Sequence, residues 1–446
     1  MSRYKPYFQY KESGVEWVGS YPKGWTITRV KFDSYVKARV GWHGLKSDDF
    51  TDEGPYLVTG SDFNGPEIRW ENCYHCDQAR YEQDPYIQLN EEDLLITKDG
   101  TIGKVALVRG LNGKATLNSG VFVVRPLRNK YTTKYYFWLL HSNVFDGFVD
   151  FNKTGSTIVH LYQDTFVNFK YAMPTYSEQL AIAAFLDHET AKIDALIEKQ
   201  QRLIELLKEK RQAVISHAVT KGLNLNAPMK DSGVEWMGKV PQHWKVGALG
   251  YNALISSGAT PDRNNPAYWN GNIPWIKTGE VKYEEIFEAE EYISEDALCN
   301  SSVKLSPPGT LLMAMYGQGV TRGRVALLGV AATYNQACAA INPSPELFNQ
   351  YLLFFFMAAY HAIRDGGNET SQMNLNAEIV GKFKVAIPSL KEQHQIVAYL
   401  KPTLVKFDSM INRAESAILL MQERRTALIS AAVTGKIDVR DWQAPA

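Results

Sequence analysis

Apolar and polar residues alternate along this chain with two spacings, one typical of helices and a shorter one typical of strands, and each spacing occurs in both halves. In Ile193–Ala218, apolar or small side chains recur at the spacing of one helix face, with Glu, Lys, Arg and Gln between them. The pattern returns in Phe407–Ala432, 214 residues later, and stays apolar or small at every position of the stripe. Each stretch predicts an amphipathic helix of about 30 residues, about 45 Å long.

A helix with one apolar face needs a partner. The obvious partner for each long helix is its own duplicate, in a coiled-coil-like pair. A core helix in each of two unrelated domains is the alternative. Pro402 precedes the second stripe by a few residues, and we expect it to separate the long helix from a shorter one at Glu392–Leu400.

The segments before the helices show a shorter period. They are rich in aromatic residues, Gly, Asn and Thr, and turns separate their short apolar runs, which is typical of strands in a compact α+β domain. The predicted strands are Pro85–Leu89, Asp93–Thr97, Val105–Val108 and Val121–Val124 in the first half, and Leu311–Met315 and Val325–Leu328 in the second. The polar loops between such strands are the usual place for recognition.

The chain also repeats itself letter by letter. Lys11–Trp25 (KESGVEWVGSYPKGW) and Lys230–Trp244 (KDSGVEWMGKVPQHW) are identical at 9 of 15 positions. Thr59-Gly60 falls on Thr278-Gly279 at the same offset. Further matches are Gly103–Leu107 with Gly323–Leu327, Phe169-Lys170 with Phe383-Lys384, Pro174 with Pro388, and Glu178-Gln179 with Glu392-Gln393. A duplicated architecture explains these matches.

The fold class that follows is α+β, with two domains of mixed α/β character, two long coiled-coil-like helices and an internal pseudo-two-fold repeat. The expected boundaries are 1–174 for the first domain, 175–222 for a central helical region, 223–388 for the second domain and 389–446 for a C-terminal helical region.

Composition narrows the class of protein. A chain of 446 residues is too long for a single hydrophobic core, so two or more domains are expected. The most apolar run, Tyr351–Tyr360, is too short to span a membrane. The N-terminus lacks the apolar core of a signal peptide, and four cysteines are too few for a disulfide framework, so we expect the cytoplasm. With 48 basic and 48 acidic residues the net charge is zero, which counts mildly against a free-standing nucleic-acid binder.

Three motifs suggest chemistry but lack part of what that chemistry needs. Cys73 and Cys76 have zinc-knuckle spacing without a second pair of ligands. Asp262, Glu280 and Lys282 loosely mimic a Mg²⁺ nuclease site. Gly317-x-Gly319 lacks the third glycine of a dinucleotide fingerprint. We therefore expect no catalytic residue and no metal ligand in this chain.

The ordered set of duplicated segments resembles the specificity subunits of type I restriction–modification systems, often called HsdS. The resemblance rests on SGVEWVG and SGVEWMG with Pro-x-x-Trp following, and on the Pro-x-x-x-Glu-Gln segments that precede the helices. Ser257–Val281 and Val40–Leu45 (VGWHGL) add to it.

This resemblance implies two target-recognition domains, each of which binds one half of a bipartite double-stranded DNA target. An antiparallel helix pair would set the gap between the halves. Two modification subunits, which carry S-adenosylmethionine and methylate adenine, would dock on the chain. Two restriction subunits that use ATP and Mg²⁺ would join them. The chain itself would hold no cofactor, because it has no Asn/Asp-Pro-Pro-aromatic motif of an amino-methyltransferase.

Candidate DNA contacts are polar residues in Gly-rich loops, where side chains reach base edges and backbone amides approach phosphates. In the first domain they are Trp42, His43, Lys46, Ser61, Asn64, Lys98, Thr101, Lys153, Thr154 and Ser156. In the second they are Thr260, Arg263, Lys277, Thr278, Tyr316, Gln318, Arg322, Arg324, Asn368, Ser371 and Gln372. For any one of them, an ordinary polar turn is the alternative interpretation.

Two other functions are compatible with the sequence. One is an enzyme, either a Mg²⁺-dependent nuclease or a methyltransferase with a disguised site. The other is a helical scaffold that joins protein partners and does not bind DNA. Turnover by the purified chain would favour the enzyme. Binding to random DNA without any sequence preference would favour the scaffold.

Overall fold

The computed structural model describes residues 4–39, 50–152, 160–317, 320–365 and 375–444. The chain forms two compact units. Unit 1 comprises Met1–Gln200 and Ser416–Ala446, and unit 2 comprises Gln201–Glu415. Each unit therefore contains one α+β portion and segments of two long helices.

Unit 1 contains thirteen described strands and five short helices before the first long helix. Its strands are β1 (Tyr10–Glu12), β2 (Ser20–Pro22), β3 (Thr26–Arg29), β4 (Ser34–Ala38), β5 (Phe50–Val58), β6 (Phe63–Asn64), β7 (Glu67–Ile68), β8 (Tyr74–Cys76), β9 (Leu94–Thr97), β10 (Val105–Leu107), β11 (Ala115–Leu117), β12 (Val121–Pro126) and β13 (Lys170–Met173). Its helices are α1 (Val30–Asp33), α2 (Gln78–Glu82), α3 (Thr133–Leu140), α4 (Asn143–Phe151) and α5 (Gln163–Phe166). The long helix α6 (Tyr176–Lys221) follows and continues into unit 2.

Unit 2 repeats this order. Its described strands are β14 (Met229–Asp231), β15 (Lys239–Pro241), β16 (Lys245–Ala248), β17 (Ala253–Ser257), β18 (Trp269–Ile276), β19 (Glu285–Ile286), β20 (Glu291–Ile293), β21 (Leu311–Ala314), β22 (Val325–Leu328), β23 (Thr333–Tyr334), β24 (Cys338–Pro343) and β25 (Lys384–Ile387). Its helices are α7 (Glu295–Asn300), α8 (Asn349–Ala358), α9 (Tyr360–Asp365) and α10 (Ala377–Lys382). The second long helix, α11 (Leu390–Val433), ends in unit 1.

The two units share one sheet topology. Unit 1 has a four-stranded sheet in the order β10-β9-β12-β4, and unit 2 has β22-β21-β24-β17 in the same order, extended by β19. In the smaller sheets, β5 pairs with β11 in parallel and with β8 in antiparallel, as β18 does with β23 and β20. The predicted α+β duplication is confirmed.

The duplicated Glu-Gln motif begins each long helix. The hydroxyl of Thr175 donates to the Glu178 carboxylate at 2.6 Å, and Ser389 donates to Glu392 at 2.8 Å. The backbone N–H groups of Thr175 and Ser389 donate to the same carboxylates, and those of Glu178 and Glu392 donate to the hydroxyls. This reciprocal capping satisfies amides that have no partner inside the helix. The Glu178 carboxylate also accepts the indole N–H of Trp25, which explains why Pro-x-x-Trp and Glu-Gln recur together.

The glutamine of this motif is buried and ties the helix to its unit. The carboxamide oxygen of Gln179 accepts the backbone N–H of Thr132 at 3.0 Å, and that of Gln393 accepts the N–H of Phe348 at 2.7 Å. The carboxamide nitrogen of each donates to the carbonyl of the proline five residues before it.

The long helices pack antiparallel. In unit 1, Arg425 contacts Asp194 at 2.8 Å, and Phe185 near the start of α6 shares a core with Val433 at the end of α11. In unit 2, Arg211 contacts Asp408 at 2.9 Å. There, residues towards the end of α6 (Ile215, Val219) share a core with residues towards the start of α11 (Ile396, Leu400). Since Asp408 and Arg425 lie 214 residues after Asp194 and Arg211, the two ion pairs are the same contact in duplicate.

The predicted helix break at Pro402 is wrong. Pro402 lies inside α11, which runs unbroken from Leu390 to Val433. The proline itself is exposed, while Leu400 and Leu404 on either side are buried in one core. Packing on both sides therefore outweighs the lost backbone hydrogen bond. The helices are also longer than predicted, at 46 and 44 residues.

One predicted strand is also wrong. Pro85–Leu89 begins with a 3₁₀ turn, Pro85–Ile87, because Pro85 presets the first residue and the Asp84 carboxylate accepts the N–H of Tyr86. The other five predicted strands lie within one residue of β9, β10, β21 and β22 or inside β12.

Candidate nucleic-acid interface

A polar hairpin loop occupies the same place in each unit. In unit 1 it joins β9 to β10, and in unit 2 a longer loop joins β21 to β22. The N–H of Gly103 donates to Thr97 O at 3.0 Å, and that of Gly323 donates to Ala314 O at 2.8 Å. Both glycines have positive φ, of 80° and 85°, which disfavours any other residue at the closing position.

A second candidate segment meets each hairpin at its base. The N–H of Leu161 donates to Lys98 O at 2.9 Å, and that of Leu375 donates to Met315 O at 3.1 Å. The candidates Lys153, Thr154 and Ser156 precede Leu161, and Asn368, Ser371 and Gln372 precede Leu375. All six lie outside the described residues. The structure thus joins the described end of each candidate segment to the candidate hairpin.

In unit 1 the remaining described candidates surround this hairpin. The Lys98 ammonium lies 5.7 Å from the Phe122 ring centroid, and the Thr101 carbonyl accepts the Thr97 hydroxyl at 2.5 Å. Gly60, beside Ser61, packs directly on Thr97, where a Cβ would lie 2.8 Å from the methyl group.

Two candidates of unit 1 contact neighbouring polar side chains. The Ser61 hydroxyl lies 2.7 Å from that of Thr59, and the Asn64 amide oxygen accepts Arg69 Nη2 at 2.7 Å. Trp42, His43 and Lys46 lie outside the described residues. His160 Nδ1 lies 2.6 Å from the carboxylate of Asp99, the residue after Lys98. This contact was not predicted, because neither residue lies in a repeated motif.

Two cationic candidates of unit 2 are engaged by glutamates. The Lys277 ammonium lies 2.7 Å from Glu290 and 3.0 Å from Glu291, and Arg263 also contacts Glu291. The Arg263 guanidinium lies 3.8 Å from the centroid of Trp269, which places it over the ring. Its hydrogen bond lowers the pKa of the Glu291 carboxyl. Both cations are therefore neutralised within their own unit.

Thr278 and Thr260 stand apart from the hairpin. Thr278 begins a 3₁₀ turn that Lys277 caps, and the Thr260 hydroxyl donates to Gln336. In unit 1 the corresponding cap is Thr59. The structural equivalent of Thr59 is therefore Lys277, one residue before the Thr278 that sequence identity suggested.

The other candidates of unit 2 lie in the β21–β22 hairpin. Arg322 Nη2 donates to Arg364 O at 3.1 Å, and the Arg324 guanidinium lies 5.9 Å from the Tyr283 ring centroid. Tyr316 is half-buried beside the core of unit 2, and Gln318 lies outside the described residues. Arg364 and Tyr283 were not predicted because their segments show no letter-by-letter match between the two halves.

The motifs that suggested metal chemistry have structural contacts. Cys73 and Cys76 are buried in different apolar clusters, and burial with the nearby Asp62 raises the pKa of Cys73 to about 12. Both carboxylate oxygens of Glu280 accept backbone N–H groups, from Lys277 and Glu290. In the described ranges, no group of three or more His, Cys, Asp or Glu could hold a metal ion.

None of the helices in the described part of the chain is both long and apolar enough to cross a membrane.

The chain has two α+β units of one topology, and each unit carries a different polar hairpin. Two continuous long helices contribute residues to both units. These features define the class of duplicated two-domain proteins with variable loops. The chain belongs to the family described as type I restriction modification DNA specificity domain, whose model matches residues 45–207 and 241–417. It is thus a member of the type I specificity subunits, as its sequence predicts.

Relatives with similar sequences are also named as type I specificity subunits. The specificity subunit of the type I restriction enzyme EcoR124I/EcoR124II from Escherichia coli is 29% identical over 180 residues, covering 38% of this chain and 41% of the relative. That alignment spans less than half of the relative's length. A putative specificity subunit, MjaX, from Methanocaldococcus jannaschii is 21% identical over 431 residues, covering 95% and 96% of the two chains.

Solved structures show the same fold. A chain from a study of complex assembly and conformational transition of the type I R-M system matches with a TM-score of 0.73 and 16% identity, covering 94% of this chain and 99% of that one. The HsdS subunit of Thermoanaerobacter tengcongensis matches with a TM-score of 0.57 and 15% identity, covering 94% and 98%.

Proposed function

We propose that this chain binds double-stranded DNA sequence-specifically, and that each unit reads one half of a bipartite target. The observation that carries this is the pair of equivalent hairpins, which stand on one frame and carry different side chains. Lys98–Lys104 reads KDGTIGK, whereas Met315–Arg324 reads MYGQGVTRGR. Hairpin loops of different sequence on the same sheet topology are suited to contacting two different DNA sequences.

The helices α6 and α11 would set the unread gap between the half-sites. In support, each is a continuous helix whose residues belong to both units. The ion pairs Asp194–Arg425 and Arg211–Asp408 hold one antiparallel register in duplicate.

The chain would dock two modification subunits and two restriction subunits. Its helices expose apolar side chains in duplicate: Leu196 and Leu420 in unit 1, and their equivalents Met410 and Leu206 in unit 2, are each 45–65% exposed. A duplicated apolar surface suits two copies of one partner, as an internal two-fold repeat requires. S-adenosylmethionine, ATP and Mg²⁺ would bind those partners, and this chain would need no cofactor of its own.

The chain would contribute no catalysis, and the complex would act in the cytoplasm. The contacts of Glu280 with two backbone amides support a structural role for the carboxylate of the nuclease-like motif. The purified chain should show no turnover with Mg²⁺ or with S-adenosylmethionine. Turnover without added subunits would contradict this part of the proposal.

Selection from a random duplex pool tests DNA reading directly. The chain, with and without its modification subunit, is incubated with the pool and the bound fraction is sequenced. We expect enrichment of two short motifs at one fixed separation. Binding without any enrichment in either arm would favour the helical scaffold and refute the specificity role.

A further inference from the structure

Two arginines and two tyrosines form a buttress beside the hairpin of unit 2. Arg324 follows the closing glycine, and its guanidinium lies 5.9 Å from the Tyr283 ring centroid. The ring of Tyr283 meets that of Tyr360 edge to face, with centroids 6.3 Å apart. The Tyr360 hydroxyl donates to Val320 O at 2.7 Å and accepts Arg364 Nη1 at 2.8 Å. We call Arg324, Arg364, Tyr283 and Tyr360 the arginine buttress.

Tyr283 occupies its place at a conformational cost. Its φ is +70°, a left-handed backbone that bulky residues rarely adopt. Its N–H donates to Val325 O at 2.8 Å, so the backbone is fixed beside Arg324. Strain of this kind persists where surrounding structure enforces it and is concentrated at functional sites.

The described side-chain contacts of the two buttress arginines are with the tyrosines. The Arg324 guanidinium lies near the Tyr283 ring, and Arg364 contacts the ring and the hydroxyl of Tyr360. Among the carboxylates whose side chains the structure describes, none forms an ion pair with either arginine. Arg263 and Lys277 of the same unit are paired with glutamates. In a chain with no net charge, two arginines beside one loop form a localised basic feature.

The described residues around the hairpin of unit 1 differ from those of the buttress. Its closing glycine, Gly103, packs on the ring of Phe145, whereas Gly323 packs on Ile363 and Tyr360. The residue equivalent to Arg324 is Lys104, a point charge rather than a planar fork. The buttress is therefore a difference between the halves, not part of their common frame.

We propose that Arg324 and Arg364 read base edges in one half-site, and that Tyr283 and Tyr360 are positioning residues that hold them. This inference rests on the proposed function. Ring packing and hydrogen bonding restrict the guanidinium orientations, which favours base reading, because a bidentate contact to guanine needs a fixed plane and a phosphate contact needs only charge.

The test compares selections from random duplex DNA by the chain with its modification subunit. Tyr283→Asn tolerates the left-handed backbone but removes the ring, and Tyr283→Phe keeps the ring. We expect Y283N to lose about tenfold of its discrimination at one or two positions of one half-site, and Y283F to retain it. The other half-site should stay unchanged, and binding is measured well below the thermal unfolding midpoint of each variant, because Tyr283 also packs on the core of unit 2.

The arginines have matched variants of their own. Arg364→Ala and Arg324→Ala should each lose about tenfold or more of the preference for guanine at one position. Arg364→Lys should fail to restore it, because an ammonium lacks the paired donors. Tyr360→Phe keeps the ring but removes both hydrogen bonds, and it should relax the same half-site, which tests the role independently of Tyr283.

Three outcomes overturn the inference. The first is unchanged specificity in these variants while the wild-type complex selects a bipartite motif. The second is a uniform loss of affinity for all sequences with a smaller salt dependence, which indicates phosphate contacts. The third is a wild-type complex that selects no motif, and that result refutes the proposed function as well.

Discussion

At the scale of single residues, duplicated polar side chains specify how each long helix joins its unit. Gln179 and Gln393 are almost fully buried, and each satisfies backbone groups that would otherwise lack partners. Buried polar groups of this kind are costly to leave unpaired. These glutamines therefore carry more stability than their exposed neighbours on the same helices.

Gln393→Ala should lower the free energy of unfolding by about 2–3 kcal/mol, because it removes the partner of the partly buried Phe348 N–H and of the buried Pro388 carbonyl. Gln395→Ala is the control, since Gln395 is exposed on the same helix. Urea unfolding at neutral pH measures both. Equal midpoints for the two variants would contradict the assigned role.

His141 should make stability depend on pH. Burial lowers the pKa of His141 to about 4, against the opposing effect of its hydrogen bond to the Phe137 carbonyl. The unfolded chain, with a histidine pKa near 6.5, binds the proton first as the pH falls. The contribution of the neutral ring is therefore complete above about pH 6.5 and is lost towards pH 4, to a total of about 3 kcal/mol.

His141→Met tests this pH dependence, because Met357 holds the equivalent position in unit 2. Tyr135 and Tyr351, six residues earlier, make the same hydrogen bond in each unit, to the carbonyls of Ala172 and Ala386. The variant should gain stability relative to wild type as the pH falls from 7 to 4. Parallel stability curves over that range would refute a buried neutral histidine.

The sequence predicted residues whose role depends on the local backbone conformation. It did not predict contacts between residues that are distant along the chain. Gly103 and Gly323 stood out as repeated letters, and a closing position with positive φ explains them. Arg263 and Lys277 were predicted as DNA contacts because their own segments are polar, and this stays a prediction. Their neutralisation depends on the fold bringing Glu291 beside them, which no local pattern encodes.

At the scale of elements, periodicity predicted the helices and packing decided where they end. The proline rule placed a boundary at Pro402, yet α11 passes through it, because Leu400 and Leu404 are buried on one core. For the hairpins, the sequence predicted the strands but not the arrangement of the loops between them. Their strands were predicted within a residue, but the side-chain directions at their tips depend on contacts such as that of Tyr360 with Val320.

Lengthening both helices should lengthen the unread gap. Four residues inserted after Glu205 and four after Leu419, its equivalent on α11, add about 6 Å to each helix, or about two base pairs of duplex. The ion pairs Asp194–Arg425 and Arg211–Asp408 flank both positions, so a matched insertion keeps the helices equal in length. Both half-site motifs should stay the same.

Inserting four residues after Glu205 alone is the matched control. It changes the number of residues between Asp194 and Arg211 without changing that between Asp408 and Arg425, so it should impair binding rather than lengthen the gap cleanly. Sequencing of DNA bound by each variant measures both effects. An altered half-site motif with an unchanged gap would show that the helices do not act as a spacer.

At the scale of the whole molecule, duplication separates what is common to the halves from what differs. Both halves share the strand order of their sheets, the Glu-Gln motif at the start of each long helix, and the ion pair between the long helices. The differing part comprises the hairpins and the arginine buttress. Under the proposed function, such a chain would offer equivalent surfaces to two copies of a partner, while its hairpin tips would recognise two different sequences.

The most direct test of this account is the methylation pattern of genomic DNA from cells that carry this chain with its modification subunit. Sequencing that detects methyladenine gives the target and the gap together. The account predicts one bipartite motif, with two different half-sites separated by a fixed number of unread base pairs. A single contiguous motif, or half-sites at variable separation, would contradict it.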